Sequence, residues 1–259
     1  MSSSQRRQRI GTRIKRGGRA ITVCLAVGVL GYLSGTAAGI GTIGHLSVLG
    51  YSTETVDEIG LSVAFNVVGA GGTAVSYLIV RRHGFDREFI VDFLRLRRPT
   101  RWDLGWVVVG LIGAFVAVVG YQQVVDLIEP LGGSEGTTHS GIEAGREYPV
   151  LFLLGIPLAV LLTGPGEELL FRGVLQSRLR ETFPTAVAVV LTGLVFGAVH
   201  LPVYMGSEPS AVVVSLGTVT TLGLYFGVLY ECSGTLLVPA LIHGCFNATV
   251  YLTNYLTYA

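Results

Sequence analysis

Residues 161–175 read LLTGPGEELLFRGVL, with two carboxylates, Glu167 and Glu168, and one arginine, Arg172, in an otherwise apolar run. Ionisable groups are costly in hydrocarbon, so those that persist there face a partner or a water-filled cavity. On a helix, positions i and i+4 share a face. Glu168 and Arg172 are so spaced and can pair, whereas Glu167 is rotated about 100° away and has no partner within its own helix. The pair therefore reads as structural support, and Glu167 as the reactive carboxylate. Gly164-Pro165-Gly166 interrupts the run just before it. Proline is favoured in a first helical turn and breaks a helix interior. A helix starting here would set its positive dipole end near Glu167 and favour the carboxylate form. Burial would oppose that.

The surroundings of this stretch point to lipid. The chain has 259 residues, of which 50% are hydrophobic and only 14% charged, and its mean hydropathy is +0.61. Soluble domains carry about 25% charged residues. The expected fold is all-α, a polytopic transmembrane helix bundle. Its 36 glycines suit close packing of membrane helices. A span needs ~20 mostly apolar residues, which gives seven candidates: 20–48, 60–80, 104–128, 150–171, 184–204, 210–230 and 235–257. The first is long and glycine-rich, with room to end early in a re-entrant or loop segment. The steps Gly31/Gly35/Gly39, Gly193/Gly197 and Gly223/Gly227 read as tight helix packing.

Charge sets the topology. A basic tail, 1–19, carries Arg6, Arg7, Arg9, Arg13, Lys15, Arg16 and Arg19. A hydrophobic span follows at once, so the tail reads as a cytoplasmic anchor rather than a nucleic-acid arm. With the N-terminus inside, the loop 81–103 adds seven arginines and the region 172–183 adds Arg172, Arg178 and Arg180. The outer segments hold Glu54, Asp57, Glu58, Glu129, Glu135, Glu143, Glu147 and Glu208, with only Arg146 against them. This positive-inside pattern fits a multi-pass protein of the cell (plasma) membrane. The organisation expected is the tail, N-terminal transmembrane helices over 20–149, and a chemistry-bearing helical core over 150–259. Cys24, Cys232 and Cys245 are far apart and read as apolar fillers.

Two further polar marks lie in that core, Phe196-x-x-x-His200 and His243-x-x-x-Asn247. The stretch Glu181–Pro184 is the natural turn of an antiparallel hairpin. Glu167 and His200 both lie about 25 Å from it at ~1.5 Å per residue, so they are level. The amphipathic stretch 172–181 would then project toward the cytosol. His243 and Asn247 share one face of the last helix and can point into one cavity. Asn66, Gln122 and Gln123 read as hydrogen-bonding residues between helices. His45, His83 and His139 read as loop or interfacial groups.

This ordered set resembles the CPBP family, also called the Abi or type II CAAX-prenyl endopeptidase family of intramembrane proteases. The resemblance covers about residues 150–250 and includes Phe171-Arg172-Gly173. Family members have about eight spans. The resemblance implies hydrolysis of a peptide bond in a membrane-associated protein or peptide, prenylated CAAX-type proteins included, at a site open to the cytoplasm. Glu167 would be the base that activates water. His200 would bind or orient that water, and His243 and Asn247 would stabilise the oxyanion. Glu168, Arg172 and Phe196 would support them. A metal-independent glutamate mechanism is the expectation. The alternative is a metalloprotease in which Glu167, His200 and His243 hold Zn2+, although the zincin His-Glu-x-x-His spacing is absent. Two rival functions are a proton-coupled transporter and a non-proteolytic membrane partner or immunity protein. The transporter would call for matching broken helices in both halves, and Gly-Pro-Gly occurs in one half only.

Overall fold

The computed structural model describes residues 3–50, 53–128 and 140–259. The expectations for Glu129, Glu135, His139 and the side chains of Arg6, Arg7, Arg9, Arg13 and Glu54 lie outside the described residues. Among the described residues there are nine helices and no strand. They are α1 (Ser3–Val48), α2 (54–82), α3 (Arg87–Phe93), α4 (Arg101–Ile128), α5 (Ser140–Glu147), α6 (150–180), α7 (Thr185–Val199), α8 (Pro209–Ser233) and α9 (Leu237–Tyr258). Five of them are long and apolar enough to cross a membrane: α1, α2, α4, α6 and α8. The protein is a multi-pass helical membrane bundle. On α4, Val109, Ile112 and Val116 are each at least 60% exposed. Lipid would cover such a face, which water would not tolerate as one contiguous apolar patch.

The elements differ from the sequence expectations in four places. α1 does not end early but runs unbroken to Val48. Its glycines serve packing: a Cβ on Gly69 of α2 would lie 2.8 Å from the Gly31 carbonyl oxygen and 2.8 Å from Gly35 Cα. α7 stops at Val199 rather than near 204, and a short 3₁₀ turn, Leu201–Tyr204, follows. Pro202 bars further α-helix there. No new helix begins at Gly164-Pro165-Gly166. α6 carries both Pro157 and Pro165 within one continuous helix. A π-helical segment, Ala159–Thr163, lies between them. Such a widened turn accommodates the N–H that proline lacks. Glu167 therefore sits within a continuous helix and not at a helix's positive dipole end. Finally, the 172–181 stretch does not project freely, because Leu170–Gln176 is buried on every side. Arg172 accordingly belongs to the interior rather than to the count of surface positive charge.

α6 is the hub of the bundle. It packs against α1, α2, α7 and α9, while α4 closes the far side against α8 and α9. α6 and α9 meet backbone to backbone. A Cβ on Gly164 would lie 2.5 Å from the Ala240 carbonyl oxygen, and one on Gly244 would lie 2.8 Å from that of Ala159. Only glycine allows this crossing, and it sits within one turn of Glu167, Glu168 and His243. Two apolar clusters frame the same level. One joins α1, α2 and α6 with Phe196, and the other joins α4, α8 and α9 through Phe226, Ile242 and Phe246.

The segments that charge assigned to one side gather at one end of the bundle. Glu231 accepts from Arg180 at 2.6 Å, Gln176 at 2.7 Å and Arg95 at 3.2 Å. Arg97 holds Asp103 at 2.6 Å and donates to the Ser233 carbonyl oxygen. Asp86 caps α3 by accepting from the Phe89 backbone N–H. That bond, together with the neighbouring Arg82, holds the Asp86 carboxyl below the usual carboxylate range. At the opposite end the Arg146 guanidinium lies over the Tyr258 ring, 5.1 Å from its centroid.

Candidate active site

Glu168 is fully buried and binds two partners through one oxygen. Arg172 Nη1 donates to Oε1 at 2.7 Å, and His243 Nδ1 donates to the same atom at 2.9 Å. The first bond follows from the i, i+4 spacing. The second links residues 75 positions apart, so no local pattern could foretell it. Arg172 is itself enclosed. It donates to the Gly223 carbonyl oxygen at 2.7 Å, and its guanidinium lies 4.7 Å from the Phe196 ring and 5.5 Å from the Phe226 ring. A buried guanidinium is tolerable only with such partners. His243 stacks on Phe226 at 4.9 Å and meets the edge of Phe196 at 5.9 Å. Its ring is therefore fixed in both position and orientation.

Glu167 is held differently. Its Oε2 is buried without a hydrogen-bond partner among the described residues. His200 Nε2 faces it at 4.0 Å, an approach too long for a hydrogen bond. His200 caps the C-terminal end of α7, and its Nδ1 donates to the Phe196 carbonyl oxygen at 2.7 Å. That bond commits the Nδ1 proton and turns Nε2 toward Glu167. Phe196 thus serves both histidines: its ring separates them and its carbonyl orients one of them.

The α7–α8 contact that brings His200 inward again depends on small residues. A Cβ on Gly193 would lie 3.1 Å from the Leu224 nitrogen, and one on Gly223 would lie 3.2 Å from the Gly193 carbonyl oxygen.

Asn247 lies one turn beyond His243 and is half-buried. Tyr251 lies one turn further, within electrostatic reach of Glu167 and Glu58. Sequence reasoning missed Tyr251, although His243, Asn247 and Tyr251 form an i, i+4, i+8 row. It also missed Gln176, which continues the row Glu168, Arg172 along α6 and donates to the Gly227 carbonyl oxygen at 3.1 Å. The other polar residues hold local bonds. Asn66 donates to the Ser62 carbonyl oxygen and Gln122 to Asp126, each within its own helix, and among the described residues neither makes the expected bond between helices. Gln123, His45 and His83 are exposed.

Among the described residues, no three His, Cys, Asp or Glu side chains are grouped as a metal ion requires. His243 turns Nδ1 to Glu168, which leaves its Nε2 for another partner.

Residues 149–249 match the family model described as type II CAAX prenyl endopeptidase Rce1-like. No curated protein and no solved structure matches the chain. The matched segment holds the buried Glu168–Arg172–His243 set, the Glu167–His200 approach and Asn247, and over these residues this helical membrane protein is similar to the CPBP family of CAAX-type intramembrane endopeptidases.

Proposed function

We propose that the protein hydrolyses a peptide bond of a membrane-associated protein, prenylated CAAX-type substrates included, with water activated by Glu167. The observation that carries this reading is the pairing at the site of a buried, unbonded carboxylate oxygen on Glu167 with a histidine nitrogen that faces it at 4.0 Å. A water about 2.8 Å from both atoms would bridge their 4.0 Å separation at a bent angle. Glu167 would take one proton from that water as its oxygen attacks the scissile carbonyl carbon. The neutral His200 Nε2 accepts a hydrogen bond and would orient the attack. Negative charge then moves to the carbonyl oxygen, where the Asn247 amide and His243 would donate. An imidazolium at His243 would carry its second N–H on Nε2. The proton held by Glu167 passes to the amine nitrogen as the C–N bond breaks, so the carboxylate is restored.

Glu168 would act through others. It orients His243 and offsets Arg172, leaving the adjacent carboxylate free. This division supports a metal-independent mechanism. The arginine-rich end of the bundle supports a site open to the cytoplasm and insertion in the plasma membrane by the positive-inside rule.

The test uses full-length protein in proteoliposomes with a farnesylated CAAX peptide. Wild type should cleave it, chelator and metal analysis should leave that activity unchanged and zinc-free, and Glu167→Ala should abolish it while the protein still inserts. Cleavage by Glu167→Ala at the wild-type rate would defeat the assignment of the base. Loss of activity in chelator that zinc restores would defeat the metal-independent mechanism.

A further inference from the structure

A second polar site, which includes neither Glu167 nor Glu168, lies at the arginine-rich end. A cavity of about 320 Å³ opens between α1, the end of α2 and the end of α6, lined by Arg19, Tyr77, Arg81, Arg178 and Glu181 with Val23 and Val80. This is at the lower end of the range for small-ligand sites, about 300–1,000 Å³. We propose that it binds the phosphate headgroup of an anionic glycerophospholipid.

Charge supplies the first argument. Three guanidiniums face one carboxylate, which leaves a surplus of two positive charges. Glu181 bridges two of them, pairing with Arg178 at 2.5 Å through one oxygen and with Arg81 through the other. This bridge uses one donor from each guanidinium and fixes both. Arg81 is further held by Tyr77, at 3.4 Å, and by the Phe93 ring, 4.7 Å from its centroid. Guanidinium forks so held keep free N–H groups for phosphate oxygens. Arg19 has no ion-pair partner among the described residues.

Position supplies the second argument. Arg19 stands where the apolar part of α1 begins, and Arg81 stands at the last turn of α2. Val23 and Val80 lie one turn or less into the apolar segments, and Val80 is 71% exposed. A ligand bound here therefore meets arginine at one end and a lipid-facing valine wall at the other. A phospholipid has that polarity and free phosphate does not. Basic pockets between membrane helices at the cytoplasmic side suit anionic headgroups in this way. Packing holds the pocket in shape: a Cβ on Gly17 would lie 3.0 Å from the Phe183 ring, so α1 rests directly on the turn after Glu181.

Native mass spectrometry of the full chain in detergent, titrated with phosphatidylglycerol, phosphatidylcholine or inorganic phosphate, tests this. The expected result is preferential retention of phosphatidylglycerol, weakened at least about fivefold by Arg19→Gln. Arg19→Gln/Arg178→Gln should weaken it further, and Arg19→Lys should restore most of it. Arg82→Gln is the control, because Arg82 lies outside the pocket and pairs with Asp86. It should change nothing. Equal retention of the two lipids, an equal loss in Arg82→Gln, or displacement of the lipid by millimolar phosphate would each overturn the proposal.

Discussion

Glu167 and Glu168 are neighbours in the chain, and both bury an unbonded Oε2, yet they meet different partners. Glu168 is fully buried and gives one oxygen to both Arg172 and His243. Glu167 keeps a buried oxygen unbonded and approaches His200 only to 4.0 Å. The histidines divide in the same way. His243 is clamped by a carboxylate and a stacked ring, while His200 is pinned through Nδ1 and leaves Nε2 facing Glu167. Each glutamate keeps its Oε2 buried and unbonded, so the difference lies in what faces them: two clamping donors at Glu168 Oε1 and an approaching histidine nitrogen at Glu167 Oε2. A catalytic base needs a free lone pair facing a group that can hold the water, and the residue that positions its neighbours needs fixed partners. One helix turn supplies both because successive residues point about 100° apart.

Substitutions can break this contrast from either side. Glu167→Gln should cost about 10²–10⁴-fold in turnover, the usual contribution of a general base, with no change in melting temperature. Arg172→Ala attacks the other half. It strands Glu168 in the interior and should destabilise the fold by roughly 3–5 kcal/mol, read as a lowered midpoint of denaturation. Asn247→Ala should lower kcat by about 10²–10³-fold if its amide meets the oxyanion, with KM little changed. Gly164→Ala tests the crossing that sets α6 against α9. Its methyl meets the Ala240 carbonyl oxygen, so it should cost about 1–3 kcal/mol and lower activity by moving both glutamates relative to His243. The smallest effect is expected far from the site, at Asp86. Its carboxyl titrates below the usual range in the folded protein, so its contribution is present above about pH 3.9 and fades as pH falls through the folded value. Hydrogen exchange should show the α3 amides loosening first on acidification, and Asp86→Ala should remove that dependence.

The parts of this arrangement that rest on local spacing were legible in the sequence. The Glu168–Arg172 pair follows from i, i+4, and the all-helical membrane fold follows from apolar length. Counting residues from the 181–184 turn also put Glu167 level with His200. Contacts between distant segments were not legible. The Glu168–His243 bond, the Phe226 stack and the meeting of Arg95, Gln176 and Arg180 on Glu231 depend on how helices pack. Gly164-Pro165-Gly166 misled for a related reason. A proline breaks an ideal α-helix, but a π-helical turn just before it lets α6 continue. That accommodation depends on neighbours such as Gly244, which no local rule counts.

The most direct test of the two-glutamate division is a paired measurement on Glu167→Gln and Glu168→Gln in proteoliposomes, recording cleavage of a farnesylated CAAX peptide and thermal stability for each. The expected outcome is a crossing. Glu167→Gln keeps the wild-type melting temperature and loses cleavage, while Glu168→Gln melts markedly lower because Arg172 and His243 lose their shared carboxylate. Wild-type cleavage by Glu167→Gln, or a Glu168→Gln protein as stable as the wild type, would contradict it.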